Sequence, residues 1–108
     1  MFDAAGMGLI AQMTDTVTID NWKTLKDRPL ALQVDTLHFS NCKGLITVQN
    51  SRFEQMVDDA INIHSTALNI IEKPADNIIK CEFAHSETAG LDLFEVGDKV
   101  RVIDKSKF

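Results

Sequence analysis

The chain has 108 residues, of which 44% are hydrophobic, so it is long enough for one small domain and too apolar for wholesale disorder. Its formal net charge of −5 argues against a nucleic acid or an anionic membrane as partner, because either would favour a basic surface. No apolar run has the length of a transmembrane helix, and residues 1–6 lack the basic region and apolar stretch of a signal peptide. Cys42 and Cys81 lie outside any short metal-type spacing and are interpreted as two buried thiols.

Short β-branched segments separated by turn residues dominate the first fifty positions. Alternation of apolar and polar residues with period two is typical of a half-buried strand, and Pro29 indicates a loop. These patterns predict strands at residues 8–12, 16–20, 31–39 and 45–50, a loop at 26–29 and a turn around 41–44.

Residues 51–72 carry two conflicting patterns. Apolar residues recur there at helical spacing, and Ser51 with Glu54 matches the capping box that begins a helix. The alternative is a pair of strands at 60–64 and 67–72, which the β-branched residues and poor helix formers of this region favour. Local periodicity by itself favours the helix.

The last third of the chain is predicted to contain two strands joined by polar connections. Pro74 indicates a turn at residues 73–77, and Gly97 with Asp98 supplies a second turn. The predicted strands are Ile78–Phe83 and the alternating segment that follows the second turn within 94–104, with a polar loop at 86–90 between them.

An internal repeat links residues 35–42 with residues 59–66, at an offset of 24 positions (59 − 35). Each copy begins with a carboxylate, Asp35 or Asp59, and continues with alternating apolar and polar residues. Repeats of this length are typical of chains that stack one unit on the next, so the pattern predicts a β-solenoid. Asp35 and Asp59 are then expected at the same position of adjacent coils, with Asp58 beside them.

Several stretches carry a resemblance to a known family. They are residues 38–44, residues 46–53, residues 56–64 and, more weakly, residues 97–102. The most specific part is the run from Asp58 through Asp59 to His64. Together they resemble glycoside hydrolase family 110, the bacterial α-1,3-galactosidases, over roughly residues 5–104 and most densely over 33–66.

The resemblance implies an all-β fold, a right-handed parallel β-helix of the pectate-lyase type with β-barrel appendages. It therefore favours strands over the helix within residues 51–72. Because the family's chains are several times longer, a truncated β-helix of about four coils is expected at residues 1–85. Residues 86–108 are expected to form a loop and a strand that lead towards a β-barrel appendage. The resemblance implies no metal and no other cofactor, and a periplasmic or secreted parent enzyme. It leaves open whether the 108-residue chain is active by itself.

Asp35, Asp58 and Asp59 match acidic positions of the family motif, which implies that they catalyse an inverting hydrolysis of terminal α-1,3-linked galactose. Inversion needs one carboxylic acid that protonates the leaving oxygen and one carboxylate that activates water. If Asp35 and Asp59 stack on adjacent coils, their backbones lie about 4.8 Å apart, and this proximity would raise the pKa of one of them. Alternatively, these aspartates cap turns or bind backbone N–H groups. Acid and base stay unassigned.

His38, His64 and Trp22 are the candidate substrate-binding residues. The histidines could bind sugar hydroxyls or be structural, and Trp22 could stack on a sugar or anchor the core. The predicted partner is a carbohydrate with terminal α-galactose, and the open ends of a short β-helix predict self-association. The alternative function is a non-catalytic β-helix module that binds carbohydrate or packs on a partner chain.

Overall fold

The computed structural model describes residues 6–24 and 34–107, which are almost entirely β-structure. The helices in these residues are two single 3₁₀ turns, Ser86–Thr88 and Lys105–Lys107, and none is long and apolar enough to cross a membrane. The strands in chain order are β1 (Leu9–Gln12), β2 (Val17–Asp20), β3 (Leu37–Ser40), β4 (Ile46–Gln49), β5 (Ile61–His64), β6 (Leu68–Ala75) and β7 (Ile78–Phe83).

The first five strands pair in two parallel sheets. β3 lies between β1 and β5, in the register Leu9 to Leu37 to Ile61, and β2 pairs with β4. The predicted offset of 24 positions is confirmed between β3 and β5 (61 − 37). Between β1 and β3 the offset is 28 (37 − 9), because the connection from β2 to β3 is longer than the one from β4 to β5.

The hydrophobic core joins residues of both parallel sheets. Leu37 and Phe39 of β3 are 0% exposed because β1 and β5 flank their strand and Ile19 of β2 packs against them. At the same register on β5, Ile61 and Ile63 are 38% and 60% exposed. The core is therefore closed at β3 and open at β5, within the described residues.

The chain bends after each of the first four strands through a residue in the left-handed conformation. These residues are Met13, Asn21, Asn41 and Asn50, with φ between 51° and 59°. Asparagine adopts this conformation more readily than most residues because its short side chain forms local hydrogen bonds. Asn41 also binds the next coil: its Nδ2 donates to Thr66 Oγ1 at 2.8 Å, and its Oδ1 accepts from the Thr66 N–H at 2.6 Å.

Asn41→Ala is expected to destabilise the chain by about 3–4 kcal/mol. The substitution removes three side-chain hydrogen bonds of about 1 kcal/mol each, two with Thr66 and one from Nδ2 to Ser40 Oγ, and leaves alanine in the left-handed conformation at a cost of about 1 kcal/mol. Urea unfolding measures the difference. Asn21→Ala is the matched control, because Asn21 has a similar φ of 59° and no side-chain hydrogen bond to a described residue. An equal loss in both variants would show that the bonds to Thr66 contribute nothing.

The strand interpretation of residues 51–72 is confirmed by β5 and β6, and Arg52 forms an isolated parallel bridge with Lys23. The helix that local periodicity favours does not form, because residues 61–64 pair as strand β5 with β3. The Thr36 N–H, for example, donates to the Asp59 carbonyl at 3.0 Å just ahead of the two strands. Tertiary pairing of this kind outweighs a weak helix propensity.

β6 and β7 form an antiparallel hairpin, so the prediction of parallel coils is wrong for residues 68–83. The chain reverses at Asp76 and Asn77, which confines the predicted turn at 73–77 to its last two positions. A two-residue connection can join only antiparallel strands, whereas parallel strands need a longer crossover. Proline is tolerated in such a hairpin where it makes no ladder hydrogen bond.

The predicted strand within residues 94–104 is absent, and the described chain after β7 has no strand. The alternating pattern therefore finds no partner there, and a strand without a partner cannot satisfy its backbone groups. The turn itself is confirmed: Gly97 has a φ of 101°, and the Asp98 N–H donates to the Glu95 carbonyl at 3.0 Å. The predicted loop at 26–29 lies outside the described residues.

Candidate active site

Three aspartates meet at one edge of the β1–β3–β5 sheet. Asp35 lies two residues before β3 and Asp59 two residues before β5, so the parallel register brings them to equivalent positions. One carboxylate oxygen from each of Asp35, Asp58 and Asp59 lies within 4.8 Å of the other two. The structure thus brings together the three carboxylates that the sequence analysis predicts as a group.

Asp35 is the buried member of the group, with 4% of its surface exposed. Its Oδ2 accepts two hydrogen bonds, from His38 Nδ1 at 2.7 Å and from Asn62 Nδ2 at 3.1 Å. Its Oδ1 accepts no side-chain hydrogen bond from the described residues. The carboxylate is therefore held at Oδ2 by two side-chain donors, and the Asp59 backbone N–H also acts on it.

The hydrogen bond from His38 is the main reason why the pKa of Asp35 lies below its ordinary value. Burial acts in the opposite direction. The hydrogen bond from Asn62, the charge of His38 when it is protonated and the hydrogen bond from the Asp59 backbone add to the lowering. The proximity of Asp35 and Asp59 predicts a raised pKa for one of the two. For Asp35 the opposite direction is found, because donors surround the charged form. Asp35 is therefore ionised at neutral pH.

Asp58 and Asp59 are exposed and lie in the bend that leads into β5. Asp58 Oδ1 accepts the Asp59 N–H at 3.0 Å, which fixes this bend locally. Both side chains therefore face solvent beside the buried Asp35.

His38 and His64 lie beside the carboxylates and contact each other. Their Nε2 atoms are 2.9 Å apart, and the ring planes meet at 78° with centroids 4.8 Å apart. Trp22 has a different environment, since it follows β2 and packs against the core cluster around Ile19 and Phe39. The histidines therefore belong to the carboxylate group by contact, and Trp22 belongs to the core packing.

Asn62 is a site residue that the sequence analysis did not predict. It pairs with His38 in the β3–β5 register, which aims both side chains at the Asp35 carboxylate. The 24-residue offset contains this information, because it aligns Asn62 with His38 in the same way that it aligns Asp59 with Asp35.

Three carboxylate oxygens at this spacing would also suit a cation. Two of the three residues are exposed, and exposed acidic groups often lie together without an ion. No fourth histidine, cysteine or acidic side chain joins the group in the described part of the chain. We therefore assign no metal site to Asp35, Asp58 and Asp59.

Asp35→Asn is expected to lower the free energy of unfolding by about 1.5–3 kcal/mol at pH 7, the range for hydrogen bonds to a charged group. Because the folded pKa of Asp35 is lowered, this stabilisation is complete above the unfolded pKa, about 3.9, and is lost as the pH falls through the folded value. Urea unfolding should therefore show the difference shrinking from pH 5 towards about pH 2. A constant difference would contradict this linkage, and the exposed Asp92→Asn serves as control.

Comparison with known proteins confirms the resemblance to α-1,3-galactosidases. The chain is 39% identical over 108 residues to alpha-1,3-galactosidase B of Parabacteroides distasonis. It is 38% identical over 100 residues to alpha-1,3-galactosidase A of Akkermansia muciniphila, and 37% identical over 105 residues to alpha-1,3-galactosidase B of Bacteroides fragilis.

These matches cover nearly all of this chain but a small part of each relative. They include 95%, 88% and 93% of the chain, and 18%, 17% and 18% of the three relatives. The chain therefore spans less than a fifth of the length of these curated proteins. No family model and no solved structure matches the chain.

Proposed function

We propose that the chain is a segment of a glycoside hydrolase that releases terminal α-1,3-linked galactose, and that it contributes the acid and the base of the reaction. The observation that carries this proposal is the grouping of Asp35, Asp58 and Asp59 within 4.8 Å. The similarity to three proteins named alpha-1,3-galactosidase supports it and suggests the substrate.

Asp35 is the proposed general base. Its lowered pKa keeps it ionised, and its Oδ1 has no side-chain donor among the described residues, so this oxygen is the one assigned to accept a proton from water. The water oxygen attacks the anomeric carbon while the bond from that carbon to the leaving oxygen breaks. The leaving oxygen takes its proton from a carboxylic acid, and this role falls to Asp58 or Asp59.

The spacing of the carboxylates bears on whether the reaction inverts or retains the configuration of the anomeric carbon. Inverting enzymes hold the two carboxyl groups about 6.5–9.5 Å apart to leave room for water, whereas these oxygens lie within 4.8 Å. Asp58 and Asp59 are exposed, so their side chains have room to turn outward when a sugar enters, although in Asp58 this breaks the hydrogen bond from the Asp59 N–H. We propose inversion with this wider spacing in the complex, and proton NMR of the first-formed galactose anomer tests it.

We infer that β1 to β5 are coils of a right-handed parallel β-helix, which would explain why the carboxylates line up along one edge. Two parallel sheets that share a core support this architecture. The β6–β7 hairpin then follows the last coil as an antiparallel excursion, and residues 86–108 lead towards a β-barrel. A handedness measured on an experimental structure of a longer protein tests this.

The test of the proposed function is galactose release by a full-length protein that contains this segment. An oligosaccharide ending in α-1,3-linked galactose is the substrate, and its α-1,4-linked isomer is the control. Release of galactose from the first substrate without added metal or cofactor is the expected result. Binding of both sugars without cleavage would instead favour a carbohydrate-binding module.

The 108-residue chain is expected to self-associate through its open core. Ile63 is 60% exposed on β5 although its register partner Phe39 is fully buried, and β5 presents an unpaired edge within the described residues. Ile63→Lys places a charge on this surface and should shift the chain to monomer in sedimentation velocity. Ile10→Lys is the control, because Ile10 is 56% exposed on β1. A wild-type monomer at high concentration would contradict the prediction.

A further inference from the structure

Both ring nitrogens of His38 are engaged. Nδ1 lies 2.7 Å from Asp35 Oδ2, and Nε2 lies 2.9 Å from Nε2 of His64. A histidine that binds a sugar hydroxyl needs a free ring nitrogen, so His38 has none to offer in this geometry. Its chemistry is directed at Asp35 instead.

The positions of the protons follow from these contacts. An ionised carboxylate only accepts, so Nδ1 of His38 carries the proton in its bond to Asp35. When both histidines are neutral, His38 has a lone pair on Nε2, and the close Nε2 of His64 is the one that carries a proton. His64 Nδ1 then carries no proton, so its 3.4 Å contact with the Ser65 carbonyl is not a hydrogen bond. Two protonated Nε2 atoms could not approach to 2.9 Å as a hydrogen bond. In this neutral state the chain of contacts has one direction, from His64 to His38 to Asp35.

We propose that His38 is a positioning residue that orients the Asp35 carboxylate, and that His64 fixes His38 in the tautomer that donates to Asp35. A neighbouring donor commonly fixes a histidine tautomer in this way. Asn62 supplies the second donor to the same Oδ2, at 3.1 Å. With Oδ2 held by two donors, Oδ1 is the oxygen that points to the reacting water. The effect of His38 on catalysis rests on the proposed function, whereas the tautomer of His38 is independent of that function.

The tautomer is measured directly by NMR of the 108-residue chain with ¹⁵N-labelled histidine. The chain has three histidines, and the exposed His85 serves as an internal reference. With the pH raised until both histidines are neutral, His38 is expected to be protonated on Nδ1 and unprotonated on Nε2. A His38 protonated on Nε2, or averaged between tautomers as an exposed imidazole is, would overturn the proposal.

Catalysis is tested in a full-length protein with two variants of His38. His38→Asn keeps an N–H near the position of Nδ1, whereas His38→Phe keeps a ring and removes the donor. His38→Phe is expected to lower kcat by about 10- to 100-fold, the range for loss of an orienting hydrogen bond, with KM nearly unchanged. His38→Asn is expected to restore most of kcat. His64→Gln, which keeps an N–H, should likewise retain more activity than His64→Leu.

The readouts separate the positioning role from its alternatives. In His38→Phe the acid limb of the pH profile of kcat/KM should move to higher pH, because Asp35 loses its main donor. A raised KM with unchanged kcat would mean that His38 binds sugar, and equal losses in both His38 variants would mean a structural role; either result overturns the proposal. If the wild-type protein releases no galactose, the proposed function fails, and the NMR measurement still decides the tautomer.

Discussion

Replacing Asp35 with Asn in a full-length protein that contains this segment should lower turnover of an α-1,3-galactoside by about 10²–10⁴-fold, the contribution of one acid–base role. The substitution keeps the shape of the side chain and its place beside His38 and Asn62, but an amide cannot accept a proton from water. Because Asp35 is assigned as base, the loss should be the same for an activated aryl galactoside, whose leaving group departs without a proton.

Asp20→Asn is the matched control for this prediction. Asp20 also has a lowered pKa, caused by side-chain hydrogen bonds from Asn50 and Gln49, and it lies at the end of β2 outside the carboxylate group. Its replacement should leave turnover near the wild-type value. An Asp35→Asn variant that regains activity on the aryl galactoside would identify Asp35 as the acid, which would reverse the assigned roles.

Gly44→Ala is expected to destabilise the chain by about 3 kcal/mol, at the upper end of the range for overpacking. An added Cβ would overlap the backbone carbonyl of Asp15 and lie 2.7 Å from Asp15 Oδ1. The backbone cannot easily yield there, because the Lys43 N–H donates to the Thr14 carbonyl at 3.1 Å and ties the two bends together. Urea unfolding of the 108-residue chain measures the loss.

Gly6→Ala is the control for the Gly44 variant. A Cβ at Gly6 would meet nothing within 4 Å, so this substitution should change the free energy of unfolding by less than about 0.5 kcal/mol. A Gly44→Ala variant as stable as the Gly6→Ala variant would show that the bends of β1 and β3 lie farther apart than described.

The parallel stacking of β3 on β5 could be predicted from the sequence because the repeat itself specifies the register. The 24-residue offset aligns Asp35 with Asp59 and Leu37 with Ile61, as the structure has them. The hairpin at residues 68–83 could not be predicted in the same way. Its turn residues indicate a reversal, but whether a strand returns beside its neighbour or continues into a coil depends on the length of the connection.

Two further features depended on contacts that a linear pattern does not record. Apolar residues do recur at helical spacing within residues 51–72. No helix forms there, because β5 pairs with β3 instead. The alternating segment within 94–104 fails to form a strand for the opposite reason, since the described residues offer it no partner. In both cases pairing decides the outcome, which is why strand propensity transfers poorly between contexts.

The three aspartates of the candidate site could be predicted from the repeat and the family motif, but the environment of Asp35 could not. Its lowered pKa arises from His38 and Asn62, whose side chains converge only when two coils are stacked. Proximity of the carboxylates by itself predicts a raised pKa for one of them, because the sequence does not show the hydrogen bonds that lower the pKa of Asp35. The donors around a charge therefore matter more here than its acidic neighbours.

The most direct test of the account is the turnover of an α-1,3-galactoside by three single variants of a full-length protein, Asp35→Asn, Asp58→Asn and Asp59→Asn, with circular dichroism to verify folding. The account predicts that at least two of them lose about 99% of turnover or more while remaining folded. One of Asp58→Asn and Asp59→Asn should recover in part with the activated aryl galactoside. Near-normal turnover in all three variants would contradict the catalytic role and leave these aspartates as turn residues.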